Sequence, residues 1–304
     1  MRYLVTGASG LLGIHLGLFL AENQVVTGVV NSRKLNYAPF PVLQQELGQL
    51  DRLEALISLV KPDCIIHCAA MANIDECEKN PDQADLINSQ VPKKLAELTM
   101  KSGIRFLHIS TDAVFDGSSS GYKETDSANP LSVYARTKYS AENYVLEHNP
   151  NAFIARVNFY GWSITGKRSL GEWFYYQLSA GNHIKGFTDI QFCPLYAGDL
   201  AKILVELAET SAAGIYHVVS KEYISKYQFG VSIANAFNLD SDLIEPVSWI
   251  EGGLTAARSP NLILDVKKTS QLLNREMPDQ QSGITDFIEA FNNGLPQRLL
   301  SLGE

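Results

Sequence analysis

Cysteine is scarce: Cys64, Cys68, Cys77 and Cys193 are the only four in 304 residues. None forms a CxxC pair, and no cysteines and histidines recur at zinc-finger spacing, so neither a redox dithiol nor a structural zinc site is expected. Cys64 and Cys68 fall in an apolar run, where a free thiol behaves as a small buried hydrophobe. No apolar stretch is long enough to span a bilayer, and strand and turn signals begin at Arg2 where a secretory leader would need a charged and then an apolar region. The expectation is a cytoplasmic protein with no membrane partner. Positive charge is also in deficit, with 25 Lys and Arg against 33 Asp and Glu and a net charge of −8. Binding to nucleic acid or an anionic membrane needs a basic stripe, so both are excluded as partners, whereas a local anionic ligand is not. Hydrophobic residues at 45% and charged residues at 19% fit a globular chain.

What is present is an alternation. Short β-rich apolar runs at Arg2–Thr6, Val25–Val30, Asp63–Cys68, Phe106–Ser110 and Phe153–Val157 are separated by helical stretches at Leu11–Glu22, Asp51–Val60, about Gln83–Ser102 and Val133–Glu147. Continuous apolar strands alternating with helices imply an α/β fold with a parallel sheet covered on both faces. Beyond Tyr160 the pattern changes. A loop at Gly161–Arg168 precedes a helix over Ser169–Ala180, and alternation returns only at Asp199–Glu209 and Ile215–Val219. The reading is a Rossmann-type doubly wound domain over 1–160, with 189–220 returning to it. A smaller, discontinuous C-terminal lobe over 161–188 and 221–304 then covers the carboxyl end of the sheet, where open α/β folds bind ligands.

The segment Tyr3-Leu-Val-Thr-Gly7-Ala-Ser-Gly10-Leu-Leu-Gly13 places three glycines at strand, turn and helix positions. The first permits the turn, the second lets a pyrophosphate approach the backbone, and the third lets the helix pack on the strand. The following helix start offers free N–H groups and a positive dipole end to an anion. At the end of the second strand, Val30-Asn-Ser-Arg-Lys34 has no carboxylate to hold a ribose 2′-hydroxyl. Arg33 and Lys34 suit a 2′-phosphate instead, with Asn31 and Ser32 beside them, so NADP(H) is favoured and NAD(H) remains allowed. The bland alternative is two solvated loop cations.

Downstream, the strand Phe106-Leu-His-Ile-Ser110 runs into Thr111-Asp112, and Tyr134 and Lys138 share a helix face at i and i+4. Carbonyl reduction needs a proton delivered to oxygen, which a tyrosine hydroxyl supplies, and a nearby ammonium favours its ionised form. A threonine hydroxyl at the strand end hydrogen-bonds the same oxygen. His67 and His108 lie within apolar strands and read as satisfied core histidines before catalysts. The aromatic run Trp173–Tyr176 reads as core and lobe interface, and Asp75, Glu76 and Glu78 as a solvated acidic loop rather than a metal site.

The GxxGxxG spacing resembles that of the extended short-chain dehydrogenase/reductase family. The segments Ile65-Ile-His-Cys-Ala-Ala70, Ser110-Thr-Asp-Ala-Val-Phe-Asp-Gly117, Tyr134-xxx-Lys138, Gly214-Ile-Tyr-His217 and Arg258-Ser-Pro-Asn261 are similar to its dTDP-4-dehydrorhamnose reductase branch over nearly the whole chain. The resemblance implies Thr111, Tyr134 and Lys138 as the catalytic set, with Lys138 also on the nicotinamide ribose. It implies Gly7, Ser9, Gly10, Leu11, Leu12 and Gly13 at the pyrophosphate, Glu46 and Leu47 at the adenine, and Cys68, Ala69, Ala70 and Met71 along the middle of the cofactor. Asp112, Val114, Phe115, Asn158 and Arg258 are placed by it near substrate; Arg258 alternatively caps a helix. The chain departs from the branch at Arg156-Val-Asn-Phe-Tyr-Gly161, where its tryptophan, Trp162, follows the glycine, and at Leu262, where a serine is usual. Both departures fall in segments that the resemblance assigns to the substrate pocket.

The expected function is NADPH-dependent reduction of a keto sugar attached to a nucleotide, with a homodimer allowed. A sugar-nucleotide epimerase or dehydratase of the same fold is a second reading, opposed by the acid-free end of the second strand. A non-catalytic NADP-binding regulatory subunit is a third.

Overall fold

In a computed structural model, which describes residues 1–250 and 259–303, seven parallel strands form one sheet. The first six are β1 (Arg2–Thr6), β2 (Val25–Val30), β3 (Val42–Gln44), β4 (Cys64–His67), β5 (Arg105–Thr111) and β6 (Phe153–Val157). Gly214–Val218 pairs with β6, giving the spatial order Gly214–Val218, β6, β5, β4, β1, β2, β3. The order reverses between β1 and β4, which opens a crevice at the carboxyl ends of those strands.

Tyr3 to Thr6 of β1 are all buried, and their side chains alternate between the two faces, as the two-residue period of a strand requires. Tyr3 and Val5 join the core on one face with Leu12, Leu16 and Phe40, while Leu4 joins Ile65, Leu95 and Ile154 on the other. Helices Leu11–Asn23 and Ala197–Ala208 pack together on the first face, and Val91–Ser102 against Val133–His148 on the second. The first face continues into the C-terminal third, where Trp162 stacks on Phe287 with ring centroids 4.1 Å apart.

Among the described residues, three small sheets lie outside the large one. Ile184–Phe187 pairs with Ile244–Val247, Phe159–Tyr160 with Leu195–Tyr196, and Gln191–Phe192 with both Ile224–Ser225 and Asn261–Leu262. The pairing of Gln191–Phe192 lies with these outer segments although it falls within 189–220, the stretch assigned to the sheet.

Two local expectations change. The segment holding Asp75, Glu76 and Glu78 is a short helix, Ile74–Lys79, rather than a loop. The Asn73 side chain accepts from Glu76 N and so starts it. The long helix over 83–102 is interrupted: Pro81–Asp85 runs into a π-turn at Leu86–Gln90 before Val91–Ser102. Pro92 has no N–H to give to the carbonyl four residues back, which favours a wider turn there. Among the described residues no helix is long and apolar enough to cross a membrane.

Candidate active site

The residues expected at a dinucleotide line the carboxyl edge of the sheet in spatial order. Glu46 and Leu47 follow β3, Asn31 to Lys34 follow β2, the glycine loop follows β1, and Cys68 to Met71 follow β4. Thr111 and Asp112 end β5, and Asn158 follows β6. The glycine loop is built for close approach. Gly7 has φ +67, and a Cβ there would sit 2.8 Å from the backbone of Ala69. A Cβ on Gly13 would lie 2.2 Å from Gly7 O, so helix and strand pack as expected of the third glycine. Helix Leu11–Asn23 starts at Gly10 with no side-chain cap and no acid in its first turn, leaving its N–H groups and dipole to an anion. Leu12 is buried, so only its backbone faces this edge. On the adenosine side, Nη1 of Arg33 is buried without a hydrogen-bond partner. A cradle closed to side chains, an uncapped helix start and an unmet guanidinium N–H together fit NADP(H).

The middle of the edge is held by Asn88, in the π-turn. Its side chain accepts from Met71 N at 2.8 Å and donates to Met71 O and to Thr137 Oγ1. Ser89 donates to Thr137 O. The loop after β4 is thereby tied to the helix that carries Tyr134 and Lys138.

Tyr134 lies within hydrogen-bonding reach of Thr111. Burial pushes Tyr134 up to about 12, its hydrogen bond with Thr111 pulls the other way, and the Asp112 charge adds to the rise. The tyrosine therefore keeps its proton at neutral pH. Sequence reasoning expected an ammonium to lower it, but Lys138 is engaged elsewhere. Its Nζ donates to Ile109 O at 2.6 Å and lies 3.2 Å from His108 Nε2. Burial lowers Lys138 to about 8, and the Glu142 carboxylate opposes that. Glu142 in turn accepts from Ser110 Oγ and from Nε and Nη2 of Arg156 in a buried ion pair.

Thr111 donates to Asp112 Oδ1 at 3.1 Å and accepts from Ala113 N. Asn158 Nδ2 donates to Asp112 Oδ2. Burial raises Asp112 to about 6 despite these bonds. A cleft of about 400 Å³ opens beside this network, lined among others by Ala113, Ser132, Asn158, Gln191, Lys226 and Leu262. It joins the sheet edge to the segments beyond Tyr160.

Several expected residues lie elsewhere. Val114 and Phe115 are fully buried, with Phe115 stacked on Tyr122, so Ala113 forms the cleft wall at that point. Trp162 is sealed in the core, its Nε1 donating to Phe287 O, and does not reach the cleft. Arg258 lies outside the described residues. His67 and His108 are buried but only half-satisfied: each has one paired ring nitrogen and one without a partner. Among the described residues no cluster of metal-ligating side chains occurs, and the acids at 75–78 are exposed on their helix.

The RmlD substrate binding domain matches residues 1–293. The chain belongs to this family. A probable low-salt glycan biosynthesis reductase, Agl14, from Haloferax volcanii is 32% identical over 96% of this chain and 99% of its own. The methionine adenosyltransferase 2 subunit beta of Xenopus tropicalis is 33% identical over 95% of this chain and 88% of its own. A dTDP-4-dehydrorhamnose reductase from Bacillus anthracis, solved in complex with NADP, superposes with a TM-score of 0.81 at 27% identity, covering 94% of this chain and 98% of that one.

Within the RmlD family frame, the residues that sequence reasoning did not single out for the site are His108, Asn88, Glu142 and Arg156. Glu142 lies on the helix of Tyr134 and Lys138, and the other three bond to residues of that helix from 14 to 49 positions away. Only Pro92, just after the π-turn, marks any of them in the sequence.

Proposed function

We propose that the chain reduces a keto sugar carried on a nucleotide, using NADPH, with Tyr134 as general acid. The observation that supports it best is that Thr111, through Ala113, and the helix start that carries Tyr134, through Ser132 and Ala135, flank a cleft lined by both the sheet edge and the outer segments. The chain is an NAD(P)-dependent oxidoreductase of the extended short-chain dehydrogenase/reductase type, with NADP(H) as favoured cofactor and NAD(H) allowed. Glycines 7, 10 and 13 admit the pyrophosphate, Arg33 and Lys34 face the adenosine end, and the loop Cys68–Met71 runs along the middle.

The bound nicotinamide supplies hydride to the carbonyl carbon. Tyr134 gives its proton to the carbonyl oxygen as charge develops there. The Thr111 hydroxyl hydrogen-bonds the same oxygen, and Asp112, fixed by Asn158, orients that hydroxyl. Lys138, held by the Ile109 carbonyl and His108, is the residue on this helix that would hold the nicotinamide ribose. The cleft also reaches Asn158 and Lys226, whose charge suits the diphosphate of a nucleotide sugar.

A panel of 4-keto sugar nucleotides and simple ketones, followed by loss of NADPH absorbance, tests this reading. Turnover of simple ketones alone would contradict the nucleotide part. The likeness to methionine adenosyltransferase 2 subunit beta supports a second reading, a regulatory subunit. Stable association with such an enzyme, and no turnover of any ketone, would favour it.

A further inference from the structure

We propose that Arg168, on the loop 161–168, joins Arg33 in a two-arginine clamp on the 2′-phosphate of NADPH. The clamp rests on the NADPH reading above and extends it to a residue that neither the glycine loop nor the end of β2 contains.

The chain carries a net charge of −8, yet none of Arg33, Lys34, Lys167 and Arg168 is in a salt bridge among the described residues. Arg33 is half-buried, and its Nη1 is sealed from solvent with no acceptor. A buried donor left unmet is costly, more so on a charged group. The acid nearest to Arg168 in sequence, Glu172, is committed. Its carboxylate accepts from Ser163 N and Oγ and from the backbone N–H of Arg168 and Ser169, closing the capping box of helix Leu170–Ser179.

The loop is held against the adenosine side of the sheet edge. His15, on helix Leu11–Asn23, lies 2.9 Å from Trp162 O through Nε2. Gly161 rests near Leu11 and His15, and Gly303 near Ile164. Leu302 O accepts from Asn36 N, just past Arg33. The loop of Arg33 and the loop of Arg168 thus both meet the last turn of the C-terminal helix, at Leu302 and Gly303, and the Arg33 charge acts with partial burial to lower Arg168.

Two like charges on neighbouring loops repel each other. A phosphate monoester dianion removes that repulsion and presents three acceptor oxygens, which two planar guanidinium forks can share. The 2′-hydroxyl of NADH does neither. Cofactor choice then depends on the loop 161–168, beyond β6, as well as on the end of β2.

Calorimetric titration at one fixed salt concentration tests the clamp, using NADPH, NADH, 2′,5′-ADP and 5′-AMP against wild type, Arg33→Gln, Arg168→Gln and Arg168→Lys. Arg168→Gln should weaken NADPH and 2′,5′-ADP by about tenfold or more, with NADH and 5′-AMP within about twofold. Arg168→Lys, which keeps the charge and loses the fork, should fall between. If Arg33→Gln selectively weakens NADPH while Arg168→Gln does not, Arg168 lies outside the site and the clamp is wrong although the NADPH reading stands. Equal weakening of NADPH and NADH by Arg168→Gln also overturns it. If the wild type binds neither dinucleotide, the cofactor reading fails and the clamp falls with it.

Discussion

The Lys138 ammonium lies 3.2 Å from Nε2 of His108, inside the protein and out of contact with solvent. Burial and the lysine charge push His108 well below its ordinary range, so the ring is neutral and Nε2 accepts. Lys138 is thus held from β5 by His108 and the Ile109 carbonyl. Its pKa, down to about 8, makes the ammonium present below that pH and lost above it.

His108→Leu removes an acceptor from the charged form of Lys138. The alkaline limb of kcat/KM should move to lower pH by roughly one unit, the scale of one hydrogen bond to a charged group. His108→Gln, whose amide oxygen can accept, should restore much of the wild-type limb. A limb unmoved in His108→Leu would remove His108 from this positioning role.

Asp112 titrates from about 6 and is ionised above that pH, where it holds Thr111 and Asn158. As pH falls through about 6 the carboxylate is lost, and the activity of the wild type should fall with it. Asp112→Asn should lower kcat/KM by about tenfold to 100-fold, since hydrogen bonds to charged groups contribute about 1.5–3 kcal/mol. It should also flatten the acid limb. A pH profile of the variant that keeps a midpoint near 6 would assign that limb to another group.

How much of this was legible in the chain depends on sequence distance. The glycine loop, β1, β2, β5 and the helix of Tyr134 and Lys138 were legible because each is a local pattern of period, turn residue and spacing. Edge strand β3 has only three residues, and the outer strands have two to four, too short for an alternation to register. His108 read as core because an apolar strand hides which neighbour a ring nitrogen meets. Its partner Lys138 is 30 residues on. The Glu142–Arg156 pair is likewise a product of packing. The orientation of Trp162 could not be read, because its position relative to Gly161 carries no sign of which way the side chain turns. The stack on Phe287, 125 residues away, decides that.

Acid should destabilise the fold from about pH 6.5 downward. Burial lowers His15 to about 4 and His67 and His217 to about 3, and also lowers His108, so all four stay neutral in the fold. The unfolded chain takes up those protons below about 6.5, so stability is lost as pH falls through that range. Asp112 and Asp199, both raised to about 6 mainly by burial, act in the opposite direction below 6. Four histidines outweigh two aspartates, and thermal melts from pH 8 to pH 5 should show Tm falling below 6.5. A Tm that is flat or rising over that interval would mean the histidines charge in place.

The most direct test of Tyr134 as general acid on a keto sugar nucleotide is stopped-flow loss of NADPH absorbance with dTDP-4-dehydrorhamnose and related 4-keto sugar nucleotides. Wild type and Tyr134→Phe are compared after the NADPH dissociation constant has been measured for each. Wild type should oxidise NADPH with at least one of these substrates. Tyr134→Phe should bind NADPH equally well and turn over about 100-fold or more slower, the usual scale for losing a general acid. No oxidation by wild type with any of the substrates, or a Tyr134→Phe rate equal to that of wild type, would contradict the assignment.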